Sequence, residues 1–147
     1  MENKKTTEYT IVIISVVALF ILAWEFTHRD ARFGRLVLDG LVRGSVKVEK
    51  LIDWEQLKAT GIDVGANYRR LSTLPDKETY RRLFIRNFAV AFQQGKGDFK
   101  KFTNWRVLQR KPTKVVVGAD YLLYNKTILF TLSKSPRTKL IAIEWKE

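Results

Sequence analysis

Apolar and polar positions along the chain fall into three regimes. Residues 9–24 (YTIVIISVVALFILAW) are uncharged without interruption and are bounded by Glu8 and Glu25. At a helical rise of ~1.5 Å they reach roughly 24 Å, and Phe26 and Thr27 extend the run toward the ~30 Å hydrocarbon core of a bilayer. Tyr9, Trp24 and Phe26 sit at its two ends, where amphipathic rings favour the headgroup level. The pattern predicts a single transmembrane helix over 9–26, with 1–8 as an N-terminal tail. Lys4 and Lys5 resemble the positive region of a signal peptide, but no pair of small residues spaced for a peptidase follows, so the run reads as an uncleaved signal anchor.

The second regime, 27–48, mixes apolar Phe33, Leu36, Val37 and Leu41 at near-helical spacing with basic residues. Gly34, Gly40 and Gly44 weaken an uninterrupted helix, each by ~1 kcal/mol relative to alanine. Two readings stand. One is a basic juxtamembrane stalk lying along the headgroups, with Arg29, Arg32, Arg35 and Arg43 as membrane-surface contacts; the other is a linker helix packed on the domain that follows.

The third regime, 49–147, reads as one small α+β domain. Residues 49–61 predict a short helix with Leu51, Ile52, Trp54 and Leu57 inward and Gly61 as its stop. Leu74-Pro75-Asp76 opens a longer helix, with Asp76 expected to accept from first-turn amides and Gly95 expected to end it in a left-handed turn. Its inward seam is Tyr80, Phe84, Phe88, Ala91 and Phe92, joined by Leu83, while Lys77, Arg81, Arg82, Arg86 and Gln93 take the outer side. After Phe99 the period becomes two. Segments 102–110, 113–121, 127–133 and 138–145 predict strands, the last with Ile141, Ile143 and Trp145 on one side. Short connections at Asn125-Lys126 and over 134–137 suit hairpins, so the strands form an antiparallel meander covered by helices. Tyr80, Phe84, Phe88, Phe92, Ile141, Ile143 and Trp145 are the candidate core or pocket lining.

Composition sharpens this picture. A chain of 147 residues with 46% hydrophobic content has length for about one domain. The absence of cysteine excludes disulfides, cysteine-ligated zinc or iron–sulfur centres, thiol catalysis and acylation. The net charge of +12 divides unevenly: residues 1–26 hold two lysines against three glutamates, and the remainder carries +13. Basic pairs such as Arg69-Arg70, Arg81-Arg82 and Lys100-Lys101 are dispersed along the chain rather than blocked. A basic folded face suits anionic lipid, an acidic protein surface or wall polymer, or nucleic acid; ordinary solvation also accounts for it.

Candidate chemistry is sparse. His28 stands alone at the lipid boundary, with no cysteine or second histidine to complete a metal site. Asp53 and Glu55 point to different sides of a helix, and Asp120 is a lone strand carboxylate. No phosphate-binding loop, dinucleotide fingerprint or nucleophile elbow occurs, so no catalytic, cofactor or metal site is expected. Asn125-Lys126-Thr127 matches a glycosylation acceptor, but asparagine in a hairpin turn is explained by its tolerance of positive φ. Phe99, Lys100, Lys101, Phe102, Trp105 and Arg106 mix aromatic and basic groups as base-stacking surfaces do. A sheet packed on a Phe-rich helix turns such aromatics inward, so nucleic acid is not the expected partner.

With anchor, helices, then hairpin strands ending in LIAIEW at 140–145, the chain resembles a membrane-anchored domain of the nuclear-transport-factor-2-like superfamily. The resemblance covers 49–147 and lies in pattern, with no diagnostic residues to carry over. It implies a cone of helices on a strongly curved antiparallel sheet. It also implies a role like that of single-span scaffold subunits in bacterial conjugation, type IV secretion or sporulation channels, with the domain outside the cytoplasmic membrane. Basic residues counted beside the span, Arg29, Arg32, Arg35, Arg43 and Lys47 against Lys4 and Lys5, favour the cytoplasm instead; the resemblance decides for the outside. The expected function is a non-enzymatic interaction subunit binding the bilayer and either itself or other envelope proteins. The alternatives are a ligand-binding or catalytic cone and a tethered binder of anionic lipid or nucleic acid.

Overall fold

The computed structural model describes the backbone of residues 2–147 and the side chains from Thr6 onward. The side chains of Lys4 and Lys5, and Met1 altogether, lie outside the described residues. The elements in order are α1 (Glu2–Val42), a 3-10 helix (Val46–Leu51), β1 (Lys58–Ala59), β2 (Ile62–Asp63), α2 (Val64–Arg69), α3 (Leu74–Gln94), a second 3-10 helix (Phe99–Lys101), β3 (Phe102–Arg110), β4 (Lys114–Tyr121), β5 (Lys126–Ser133) and β6 (Lys139–Trp145).

α1 joins two physical regimes in one helix. Its N-terminal half is long and apolar enough to cross a membrane, with a mean hydropathy of 2.3 over a window of which none is buried against the protein. Its C-terminal half turns Val37, Leu38, Leu41 and Val42 into the core, and this spacing of one, three and four residues marks a single inward stripe. The glycines that argued against a continuous helix are where it comes closest to its neighbours. A Cβ on Gly34 would stand 3.2 Å from Val117, and one on Gly40 would stand 2.9 Å from the Val48 Cβ. Residues 27–42 therefore pack on the sheet as a continuation of α1, and the stretch to 48, which turns into the first 3-10 helix, supplies core residues to the domain expected to begin at 49.

The short helix expected over 49–61 is replaced by an irregular path. Ile52 forms a parallel bridge to Leu140, the Asp53 amide donates to the Leu140 carbonyl at 2.9 Å, and β1 then pairs parallel to β6. The apolar residues still face inward, with Ile52, Trp54 and Leu57 buried. What changes the local structure is the open edge of β6, whose backbone groups this segment satisfies.

α3 occupies the expected span with different ends. Thr73 is its N-cap, accepting from the Asp76 amide at 3.2 Å while its hydroxyl donates to the Asp76 carboxylate at 2.6 Å. Gly95 has φ −74, and the left-handed residue is Lys96 at φ +53. The inward face is also rotated: Ile85 and Ala89 are its buried residues, Leu83 is exposed, and Arg81, expected outside, pairs with Glu49.

The sheet is mixed and six-stranded, in the order β2-β1-β6-β5-β4-β3. The four predicted strands form an antiparallel meander within it; β1 and β2, antiparallel to each other and joined to β6 in parallel, are the two it adds. β3 carries two register shifts against β4, one at Asn104 and Trp105 opposite Ala119 and one at Leu108. β6 carries another at Ile141. Each extra residue bends its strand and reverses the parity beyond it. So Leu140 and Ile143 both join the central core cluster, while Ile141 is buried outside it.

Candidate functional site

Two features lie at opposite ends of the domain. α1 emerges from its apolar half beside the β3–β4 and β5–β6 turns, and the β4–β5 turn and the end of α3 lie at the other end.

The far end holds an apolar cleft of about 340 Å³. Leu38 of α1, Phe88 and Phe92 of α3, Phe102, Tyr121 and Trp145 of the sheet are on its walls. Phe102 and Tyr121 are register partners and stack at 4.2 Å between centroids, and Phe92 stacks on Phe102 at 6.2 Å. The Tyr121 hydroxyl accepts from the Asp98 amide at 3.2 Å, fixing the ring at the cleft floor. Beside the cleft the β4–β5 turn exposes Leu122, Leu123 and Tyr124 at 59%, 49% and 57%. Asn125, at φ +51, closes that turn as the sequence anticipates. Exposed Lys126 lies beside Tyr124 and Trp145 at this surface, and exposed Lys96 and Lys146 are chain neighbours of residues that line it.

Of the predicted lining residues, Phe88, Phe92, Ile143 and Trp145 meet at the cleft. Phe84 and Tyr80 do not. They join an adjoining aromatic cluster, Phe84 edge-on to Trp54 at 5.5 Å and 6.4 Å from Phe88, and Tyr80 against Tyr68 at 6.1 Å. Ile141 is displaced by its bulge. Sequence reasoning missed Leu38, Phe102 and Tyr124 as lining; the one available signal was the apolar YLLY at 121–124, where a polar turn is the rule.

The near end is polar. The Asp30 side chain, 3% exposed, pairs with Arg110 at 2.8 Å and with Lys134. Asp30 is the one buried charged residue among those described. Arg110 also donates to the Thr27 carbonyl at 3.2 Å and stands 5.5 Å from the centroid of Phe26. Of the predicted membrane-surface arginines, Arg29 lines a cavity here and Arg32 pairs with Glu25. Arg35 lies over the Phe99 ring, and Arg43 pairs with Asp39 about 25 Å along the helix axis from Phe26. The four do not share one level. His28 stacks on Trp24 at 4.0 Å, with Nδ1 2.8 Å from the Trp24 carbonyl.

The remaining candidates are tied into the fold. Asp120 accepts from Asn104 at 2.8 Å, Thr127 at 2.8 Å and Arg106 at 3.1 Å, which hold its carboxyl down at about 2. A carboxylate stabilised in this way is a poor general base at neutral pH. Asp53 accepts from the Glu55 amide and from Gln56, closing a turn. Phe102 is buried, Trp105 stacks on Phe130 at 5.5 Å and half-buried Phe99 packs against Phe102 at 6.3 Å, so the three rings of the base-stacking candidate are engaged with the core. No group of three or more potential metal ligands occurs among the described residues. No known protein family, curated protein or solved structure matches the chain.

Proposed function

We propose that this chain is a membrane-anchored, non-enzymatic interaction subunit of a bacterial envelope assembly, held by the first half of α1 and presenting the far end of its α+β domain to a protein partner. The observation that carries the reading is the exposed Leu122, Leu123 and Tyr124 beside the aromatic cleft. Such a patch, with basic residues at its edge, has the anatomy of an interface core and rim. The lysines favour a partner segment whose apolar side chains are flanked by acidic ones. The likeness to scaffold subunits of secretion, conjugation or sporulation channels supports placing the domain outside the cytoplasmic membrane.

The test is site-specific photo-cross-linking of the full chain in its own membrane. A cross-linker at Leu123 is expected to give a discrete adduct, with a second copy or with one envelope protein, that one at exposed Arg82 does not give. Recovery of uncross-linked monomer alone from both positions refutes the reading. A reporter fused at the C-terminus settles the side of the membrane.

A second reading has one observation in its favour. The cleft volume falls within the range of small-ligand sites and its walls are aromatic. An apolar ligand seated there would protect Phe92 and Trp145 from quenching without any cross-link at Leu123.

A further inference from the structure

The near end of the domain has chemistry of its own. Phe26 closes the apolar run of α1, and the guanidinium of Arg110 lies over its ring while donating to Thr27 one residue on. The β3–β4 turn is thereby placed where a spanning helix passes from hydrocarbon to headgroups, and Lys134 on Asp30 brings the β5–β6 turn to the same level. These turns carry Lys111 in one and Lys134 and Arg137 in the other, and Lys114 and Lys139 open the strands that follow them.

Between α1 and the β5–β6 turn lies a cavity of about 390 Å³. Arg29, Lys134 and Arg137 are the cations on its walls, Thr138 supplies a hydroxyl, and Phe33 and Pro136 make an apolar side. Asp30 also borders it, but that carboxylate already has two cations, Arg110 and Lys134. Its charge is therefore spent. None of the ion pairs among the described residues engages Arg29 or Arg137, and both side chains are exposed. Arg29 and Arg137 thus line one cavity without an ion pair of their own, and arginine forks bind phosphate bidentately.

We infer that this cavity holds the phosphate headgroup of an anionic phospholipid from the leaflet into which α1 emerges. Arg29 and Arg137 take the phosphate, and Phe33 and Pro136 lie against the glycerol and the start of the acyl chains. The inference rests on α1 spanning a bilayer. It goes beyond general attraction of a basic domain to a negative surface, because it assigns the preference to two residues rather than to the net charge.

The full chain is reconstituted in nanodiscs of phosphatidylcholine with and without phosphatidylglycerol, and the lipids that stay bound are counted by native mass spectrometry. Wild type is expected to retain phosphatidylglycerol in preference to phosphatidylcholine. With each near-surface cation worth about fivefold in anionic-lipid partitioning, R29Q/R137Q lowers that preference roughly 25-fold. R82Q/R86Q, which removes the same charge from the exposed face of α3, leaves it unchanged. Arg29 and Arg137 make no ion pair that folding needs, and a thermal melt of the variant checks this directly. A chain that fails to enter nanodiscs overturns the anchor and the site together. Insertion without lipid preference, or equal loss in both double variants, overturns the site alone. Displacement of the bound lipid by millimolar inorganic phosphate identifies a free-anion site and overturns the lipid assignment.

Discussion

Arg110, the last residue of β3, donates at 2.8 Å to the carboxylate of Asp30, eighty residues earlier on α1. Through this pair, and through Lys134 on the other carboxylate oxygen, the long apolar helix is clamped to two turns of the sheet. Asp30→Ala leaves two cations facing a buried gap. Because both are partly hydrated, the expected loss is about 2–4 kcal/mol, below that of a fully buried pair. Arg110→Ala or Lys134→Ala leaves Asp30 one partner and is expected to cost less. Denaturant unfolding of the three variants in detergent checks the order.

A fragment beginning at residue 45 is expected not to fold, whereas one beginning at 28 is expected to fold. The shorter fragment lacks Val37, Leu38, Leu41 and Val42, all buried. At roughly 1.5–3 kcal/mol for each buried side chain, their loss is comparable with the whole stability of a small domain. Circular dichroism and amide dispersion in NMR spectra distinguish the two. A cooperative unfolding transition for 45–147 would show that α1 is dispensable.

Gly40 carries no side chain because Val48 occupies the space. Gly40→Ala puts a methyl 2.9 Å from the Val48 Cβ. Overpacking of this kind costs typically about 1–3 kcal/mol, more than the ~1 kcal/mol that alanine gains in helix propensity. Adding Val48→Gly, which removes the crowding Cβ itself, is expected to recover part of the loss, so that a double-mutant cycle gives a favourable coupling. Additive losses would place the strain elsewhere.

Acid weakens the β3–β4–β5 region through Asp120. Its carboxyl is held at about 2 by Asn104, Arg106 and Thr127, below the ordinary 3.8. A group whose folded value is depressed stabilises the fold above its unfolded value and loses that contribution as the pH falls through the folded one. Stability is therefore expected to decline between about pH 4 and pH 2, less steeply in Asp120→Asn. Carbon-detected NMR titration checks the site itself; a midpoint near 4 would contradict the hydrogen-bond network.

Leu122→Ser is expected to change stability by no more than about 0.5 kcal/mol, as surface substitutions do, while weakening the cross-link formed from position 123. Leu122 is exposed, so a large loss of stability would mean that the turn serves the fold rather than a partner.

Much of the local structure was legible because its causes are local. The uncharged run at 9–24 needs no neighbours to declare a helix able to span a bilayer. The phenylalanines of α3, four residues apart, declare a helix face, and period-two alternation marks β4, β5 and β6. The errors share one cause. Residues 49–61 have helical spacing, but the unpaired edge of β6 captured their backbone at Ile52 and β1. Ile141 has the parity of Ile143, but the register shift at β6 set Leu140 beside the core instead. Gly34 and Gly40 count against a helix by propensity, and only the closeness of Val117 and Val48 explains them.

The candidate sites were less legible than the elements. Phe88, Phe92, Ile143 and Trp145 could be nominated as apolar residues, but nothing local shows that Phe84 turns to Trp54 while Phe88 and Phe92 turn to the cleft. The near-end cavity was not visible at all, since Arg29 and Arg137 are far apart in the chain and meet only through the clamp on Asp30.

By itself the sequence determined the regimes: an apolar helix at the start, a basic remainder of +13, and helices followed by hairpin strands. These follow from hydrophobic period, turn chemistry and charge, which act over a few residues. Only the tertiary structure decided that the basic turns lie beside the emerging helix and the aromatic cleft at the opposite end. That arrangement depends on strand register, on bulges and on pairs closed across eighty and more residues, where the free energy of burial is decided by neighbours that no local pattern specifies.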